Sequence, residues 1–316
     1  MAAAILLAIT GWDPAGWETR FRALAPRRDV RLWPDRMGDP AGVAYACAWK
    51  PPPGLLGSLP NLTASFSLGA GVDQLVGDKT LPQVPLVRIV DPDLTMRMTE
   101  YVTLHVLMIH RRQRLYDAQQ RDRLWRDHDQ WPAADVAVGV MGLGVLGRAA
   151  TDALRRLGFK VAGWSRTPKA MPGVETFHGE KGLDDFLARS EILVCLLPHT
   201  PATEGILNLA LLRKLKRDGV LGGAYLINAG RGRLQVDGDI LAALDEGALA
   251  GATLDVFAVE PLPSDSPLWP HPKITITPHN AAASHPNALV ANVLGQIERL
   301  ERGQPLENVV DRARGY

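Results

Sequence analysis

The chain carries only two cysteines in 316 residues. Cys47 and Cys195 each lie inside an apolar, strand-like run, which excludes a disulfide-stapled scaffold or a thiolate metal centre and leaves buried structural thiols. Net charge is almost absent as well, at +1, so no global field favours nucleic acid or an anionic membrane. No apolar run reaches the ~18 residues of a membrane span. The opening stretch, Met1 to Thr10, lacks a basic n-region and runs directly into Gly11-Trp12-Asp13-Pro14, so it reads as a first β-strand rather than a signal peptide. His, Asp and Glu do not fall at metal-ligand spacing, and no internal repeat or low-complexity tract stands out. What these absences leave is a cytoplasmic protein with a small-molecule partner, and no nucleic acid, membrane or metal is expected.

What is present is an alternation of short apolar runs and helix-compatible spacers, in a chain 46% apolar and long enough for two domains or one large α/β unit. Runs at Ile5 to Ile9, Val30 to Trp33, Ala44 to Trp49, Thr63 to Leu68 and Val84 to Val90 predict a small parallel α/β domain. Thr99 to Gln119 contains no Gly or Pro and predicts one continuous interdomain helix, followed by a polar arm to Trp131-Pro132. A second series follows at Val136 to Met141, Phe159 to Trp164, Glu191 to Leu196, Ala224 to Asn228, Ala252 to Phe257 and Ile274 to Thr277, which is the strand count of a doubly wound nucleotide fold. A last helix is expected over Asn287 to Arg302.

Directly after the first strand of the second series come Gly142, Gly144, Val145, Leu146 and Gly147, in a G-x-G-x-x-G pattern that opens a helix running to about Leu157. Glycine permits the tight turn and close backbone approach that let helix N-terminal amides face a pyrophosphate. A lone match is weak, but here strand, helix and following strand are all in place. That following strand ends in Trp164-Ser165-Arg166-Thr167-Pro168-Lys169. An NAD-selective site carries Asp or Glu there, to bind ribose hydroxyls. Ser165, Arg166, Thr167 and Lys169 instead suit a 2′-phosphate, which predicts NADP(H) over NAD(H).

Three residues at the ends of later strand-like runs make a reaction centre. Arg231 sits in the turn Asn228 to Gly232, Glu260 follows the run that contains Asp255, and His279 ends Thr277-Pro278-His279. A planar guanidinium holds a carboxylate and polarises the carbonyl beside it. A carboxylate next to an imidazole favours the protonated ring and lets it donate a proton. The other seven histidines lack this combination; His199, after Leu197-Pro198, is the nearest competitor.

Taken together the residues resemble the D-2-hydroxyacid dehydrogenase family, in particular its glyoxylate/hydroxypyruvate reductase A branch. The resemblance covers nearly the whole chain and rests on Ser67-Leu-Gly-Ala-Gly-Val-Asp73, Arg97-Met-Thr-Glu-Tyr101, the glycine fingerprint, Trp164-Ser-Arg166, Leu197-Pro198, the Asn228 to Gly232 turn, Leu254 to Phe257, Glu260 to Pro263, Pro267 to Trp269 and the ending Val310 to Tyr316. It implies an α/β fold of two domains: a Rossmann doubly wound parallel sheet (97–283) inserted into a flavodoxin-like substrate domain built from both chain ends (1–96 and 284–316), with the cofactor in the cleft. It further implies that Arg231 binds and polarises a 2-oxo acid, His279 donates the proton and Glu260 orients His279. Asp255 would contact the nicotinamide carboxamide, and Leu197 and Pro198 would join the cofactor-binding set. The turn Gly69-Ala70-Gly71 would offer amides to the substrate carboxylate, a nest with physical sense of its own, and Trp49 would wall the pocket. Asn280 departs from the family's apolar residue at that position and would add a polar contact near the imidazole. The implied activity is NADPH-dependent reduction of glyoxylate or hydroxypyruvate by a homodimer whose arm is the segment Tyr116 to Trp131. Alternatives are a nucleotide-sensing binding protein of the same fold, and a dehydrogenase for a bulkier 2-keto acid or formate.

Overall fold

In the computed structural model, residues 3–315 are described. The chain divides into two compact units, one made of the residues up to Leu94 together with those from Ala283 onward, the other being Thr95–Ala282.

In the first unit the strands are β1 (Ala4–Ile9), β2 (Val30–Leu32), β3 (Val43–Trp49), β4 (Ala64–Ser67) and β5 (Leu86–Val87). They are parallel, in the order β2-β1-β3-β4-β5. Every side chain of β1 is buried, which explains its unbroken apolar run: a central parallel strand has both faces covered. The helix Pro286–Glu301 places Leu289, Val293 and Ile297 on one stripe and packs them with Ile5, Phe21 and Phe66. Val310 N donates to Leu86 O at 2.8 Å. The end of the chain thus completes the unit that its beginning starts.

The second unit holds seven parallel strands: β6 (Ala137–Met141), β7 (Lys160–Ser165), β8 (Glu175–His178), β9 (Ile192–Cys195), β10 (Tyr225–Asn228), β11 (Gly251–Leu254) and β12 (Ile274–Ile276). Their order is β12-β11-β10-β9-β6-β7-β8. β6 and β9 are neighbours although two strands separate them in sequence, so the order reverses there. In open α/β sheets ligands bind beyond the carboxyl ends of the strands at that reversal.

Two expectations are corrected. β8 adds a seventh strand that the apolar pattern does not reveal, because it is an edge strand whose residues are all partly or fully exposed. The single helix over Thr99 to Gln119 is two helices, Pro92–His110 and Gln113–Arg121. Asp91 Oδ1 caps the first by accepting from Asp93 N (2.9 Å), ahead of the expected start. The break falls at Arg112, whose φ is 54°. Tertiary contacts override local helix continuity here: the Arg114 guanidinium bonds Thr275 of edge strand β12 and, at 2.7 Å, Pro272 O, holding the second helix against the sheet. No helix among the described residues is long and apolar enough to cross a membrane, and no group of three His, Cys, Asp or Glu side chains among them is placed to hold a metal. Cys47 and Cys195 are both buried.

Candidate active site

The glycine turn after β6 separates what the fold demands from what it leaves open. A Cβ on Gly142, whose φ is 114°, would sit 2.9 Å from Leu196 O, and one on Gly147 would sit 1.9 Å from Gly142 O. Gly144 differs: a Cβ there would meet no protein atom within 4 Å. It is the N-cap of the helix Val145–Arg156 and supplies no side-chain cap. The first-turn amides, including those of Val145 and Leu146, therefore lie behind a glycine whose vacant side-chain position suits close approach by a pyrophosphate. Gly144→Ala is expected to leave the melting temperature near wild type but weaken NADPH binding at least tenfold, while Gly147→Ala lowers the melting temperature itself. Calorimetry with nucleotide titration checks both, and equal effects of the two changes would contradict the assignment.

At the end of β7, Ser165 is buried and its hydroxyl donates to Thr167 O at 2.8 Å, so its proton serves the turn rather than a ligand. Arg166, Thr167 and Lys169 are exposed. No acidic side chain stands in the stretch from Ser165 to Lys169.

Close backbone approaches then link one loop to the next along the sheet edge. Gly142 packs on Leu196 and Leu197; a Cβ on Gly230 would lie 2.8 Å from Leu197 O; one on Gly232 would lie 1.9 Å from the Phe257 carbonyl carbon. Leu197 is buried and Pro198 half-buried in this chain of contacts. Strands β10, β11 and β12 end in step, with Asn228 beside Leu254 and Leu254 beside Ile276. Arg231, Glu260 and His279 thus emerge from three adjacent strand ends, whose spacing is ~5 Å per strand.

Each side chain is held individually. Asn228 is fully buried; it donates through Nδ2 to Arg231 O (3.2 Å) and Gln235 Oε1 (2.8 Å) and accepts from Gly230 N (3.1 Å), which fixes the turn carrying Arg231. The half-buried Arg231 guanidinium donates to Gly230 O at 2.8 Å. Glu260 Oε1 accepts from Phe257 N at 3.1 Å, and its Oε2 lies 2.8 Å from His279 Nδ1. An ionised carboxylate only accepts, so Nδ1 carries the proton and Nε2 is left to face a substrate. His199, the competing histidine, lies 3.8 Å from Glu204, outside hydrogen-bond reach.

His279 has φ 51°, in the left-handed region that a non-glycine residue enters at a cost of roughly 1–3 kcal/mol. Its amide donates to Asp255 O (2.8 Å) and Thr277 O (3.0 Å). The Asp255 carboxylate, 1% exposed, accepts from Thr277 Oγ1 (2.6 Å), Asn280 N (3.0 Å) and Ala281 N (3.1 Å). Burial raises the Asp255 pKa, and these hydrogen bonds together with the His279 charge oppose the rise. Three acceptor positions of the carboxylate are therefore in use within the protein. The Asn280 side chain is exposed, and it is the residue's backbone amide that enters this network.

In the first unit the Trp49 indole packs against the turn after β4: a Cβ on Gly69 would come within 2.1 Å of its six-membered ring. Trp12 stacks on Trp49, with centroids 4.1 Å apart. Ser67 Oγ offers its one proton to Gly69 O (2.9 Å) or Gly71 O (3.1 Å) and accepts from Gly69 N (3.3 Å), which ties the turn together. Asn228, Thr277, Tyr101, Ser67 and Trp12 were not singled out as site residues from sequence, although the first four stand inside motifs that were.

Comparison with known proteins places this geometry. A family model for the D-isomer specific 2-hydroxyacid dehydrogenase NAD-binding domain matches residues 103–281. Glyoxylate/hydroxypyruvate reductase A of Yersinia enterocolitica is 41% identical over 306 residues, 95% of this chain and 96% of that protein. The NADPH-dependent glyoxylate/hydroxypyruvate reductase of Sinorhizobium meliloti, solved with NADP and sulfate, superposes with a TM-score of 0.95 at 46% identity, covering 99% of this chain and all of that one. A probable 2-hydroxyacid dehydrogenase of Rhizobium etli, solved with NADP, HEPES and L(+)-tartaric acid, gives 0.94 at 47% over the full length of both chains. With its nucleotide-binding half matched by the family model and such relatives aligned from end to end, the chain belongs to the D-isomer specific 2-hydroxyacid dehydrogenase family.

Proposed function

We propose that the protein reduces glyoxylate, hydroxypyruvate and 2-oxo acids of similar size to D-2-hydroxy acids with NADPH. The observation that carries this reading is the His279–Glu260 pair at 2.8 Å, one strand away from the turn of Arg231 in a sheet whose glycine loop fits a dinucleotide. Bound NADPH supplies the hydride. The chain's own groups do the rest: Arg231 holds the substrate carboxylate and draws charge onto the carbonyl oxygen, and His279 delivers the proton to that oxygen from Nε2. Glu260 accepts the Nδ1 proton and fixes the ring's orientation, so the proton delivered is the second one, on Nε2 of the imidazolium. Leu197 and Pro198 line the cofactor side of the Arg231 turn. In the first unit, the Gly69 to Gly71 turn, packed against Trp49, would offer backbone amides to the substrate carboxylate. A protein that only senses nucleotide has no use for a proton-donating pair, and two of the named relatives are reductases.

NADPH is preferred over NADH because the end of β7 offers Arg166, Thr167 and Lys169 to a 2′-phosphate and no acid to repel it. Following absorbance at the reduced nicotinamide band with glyoxylate, with each cofactor, tests both parts. Turnover with NADPH and at least tenfold lower kcat/KM with NADH is expected, and Arg166→Asp should narrow or reverse that ratio. Equal use of the two cofactors would overturn the preference, and no turnover with any small 2-oxo acid would overturn the function.

Two copies are further inferred to pair through the arm from Tyr116 to Trp131, where Leu124 and the fully exposed Trp125 lie on the surface. Sedimentation at twice the chain's 34.3 kDa is the expected result, and a 34.3 kDa species at micromolar concentration the opposing one.

A further inference from the structure

Tyr101 lies in a motif for which the reaction above has no use, yet it reaches the loop of the proton donor. Its hydroxyl is 2.7 Å from Thr277 Oγ1, across 176 residues of sequence. Donor accounting sets the direction of the chain. Thr277 has one hydroxyl proton, and it goes to Asp255 Oδ1 at 2.6 Å, a carboxylate oxygen that only accepts. Tyr101 must therefore donate to Thr277. The phenol is buried, and burial holds it protonated by raising its pKa. From Asp255 the order spreads to the rest of the loop, because its carboxylate takes the amides of Asn280 and Ala281 while its carbonyl takes that of His279. The whole of 277–281 is wound around one buried residue. Between those anchors sits the left-handed backbone of His279, a conformation that persists only where the surroundings over-determine it.

We propose that Tyr101, Thr277 and Asp255 act as one positioning relay that holds His279 in this backbone conformation and so aims its imidazole at Glu260 on one side and the substrate on the other. This rests on the reading of His279 as proton donor, but the relay touches neither substrate nor reacting atoms. Its contribution belongs to kcat, since a displaced acid leaves cofactor and substrate binding in place while misaligning the transfer.

The test uses Thr277→Val, which keeps the shape and removes both hydroxyl bonds, Thr277→Ser, which keeps them, and Tyr101→Phe, which removes only the outer one. Thr277→Val should lower kcat about 10- to 100-fold, with substrate KM and NADPH affinity within about twofold of wild type. Tyr101→Phe should fall between, and Thr277→Ser should match wild type. A second reading needs neither activity nor cofactor: in the nucleotide-free protein, the His279 Nδ1 proton shared with Glu260 should give a downfield NMR signal that is lost or shifted in Thr277→Val and retained in Thr277→Ser. Unchanged kcat together with an unchanged signal in Thr277→Val would overturn the relay, as would loss of NADPH affinity in step with kcat, which would trace the effect to cofactor binding and not to the position of His279. A wild-type protein that turns over no 2-oxo acid but loses the signal in Thr277→Val would remove the proposed function and leave the positioning intact.

Discussion

Replacing His279 with alanine should lower kcat by about 10² to 10⁴, the usual loss when a positioned general acid is removed. The reasoning is local. Glu260 occupies Nδ1 at 2.8 Å, so the single remaining nitrogen is the donor and alanine leaves nothing in its place. The loop itself should survive, because the Asp255 carboxylate bonds Thr277 Oγ1 and the amides of Asn280 and Ala281, none of which the substitution touches. NADPH affinity and melting temperature should therefore stay near wild type while turnover collapses. Steady-state kinetics beside a fluorescence titration of bound NADPH measures the two separately. Turnover close to wild type would remove His279 from the mechanism.

Arg231→Ala should cost about 10² to 10³ in kcat/KM, the scale seen when a fixed donor to developing charge is deleted. Arg231→Lys should recover only a fraction, since an ammonium cannot match a planar carboxylate with two parallel hydrogen bonds. The turn is held by Asn228 through backbone atoms of Gly230 and Arg231, so the side chain can be changed without releasing the loop. Both KM and kcat are expected to move, because the same guanidinium holds the substrate and stabilises the transition state. Kinetics over a range of glyoxylate concentrations resolves the two, and a variant with kcat/KM within threefold of wild type would refute the role.

Much of this was legible in the residues. Parallel strands buried on both faces give continuous apolar runs, so β1, β3, β6, β9 and β10 stand out, and a glycine fingerprint between strand and helix marks the nucleotide end of the sheet. Arg231, Glu260 and His279 could be proposed because side chains at the carboxyl ends of parallel strands are read from position alone. The rest depends on contacts that spacing does not encode. β8 is hidden by its exposed edge position, and the break at Arg112 by an anchor, Arg114 bonded to Thr275 of β12, that joins distant segments. The bond between Tyr101 and Thr277 spans 176 residues, so the motif ending at Tyr101 could be noticed but given no role. Ser165 shows the opposite failure: a hydroxyl at the right position whose proton turns back to Thr167.

The central claim is that hydride passes from reduced nicotinamide to the carbonyl carbon of a small 2-oxo acid on this protein. Incubating it with glyoxylate and NADPH deuterated at the transferring position of C4, then examining the product by NMR, tests this directly. Glycolate bearing one deuterium at C2, formed by the wild type and nearly abolished in Arg231→Ala and His279→Ala, is the predicted result. Glycolate without deuterium, or no glycolate at all, would contradict it.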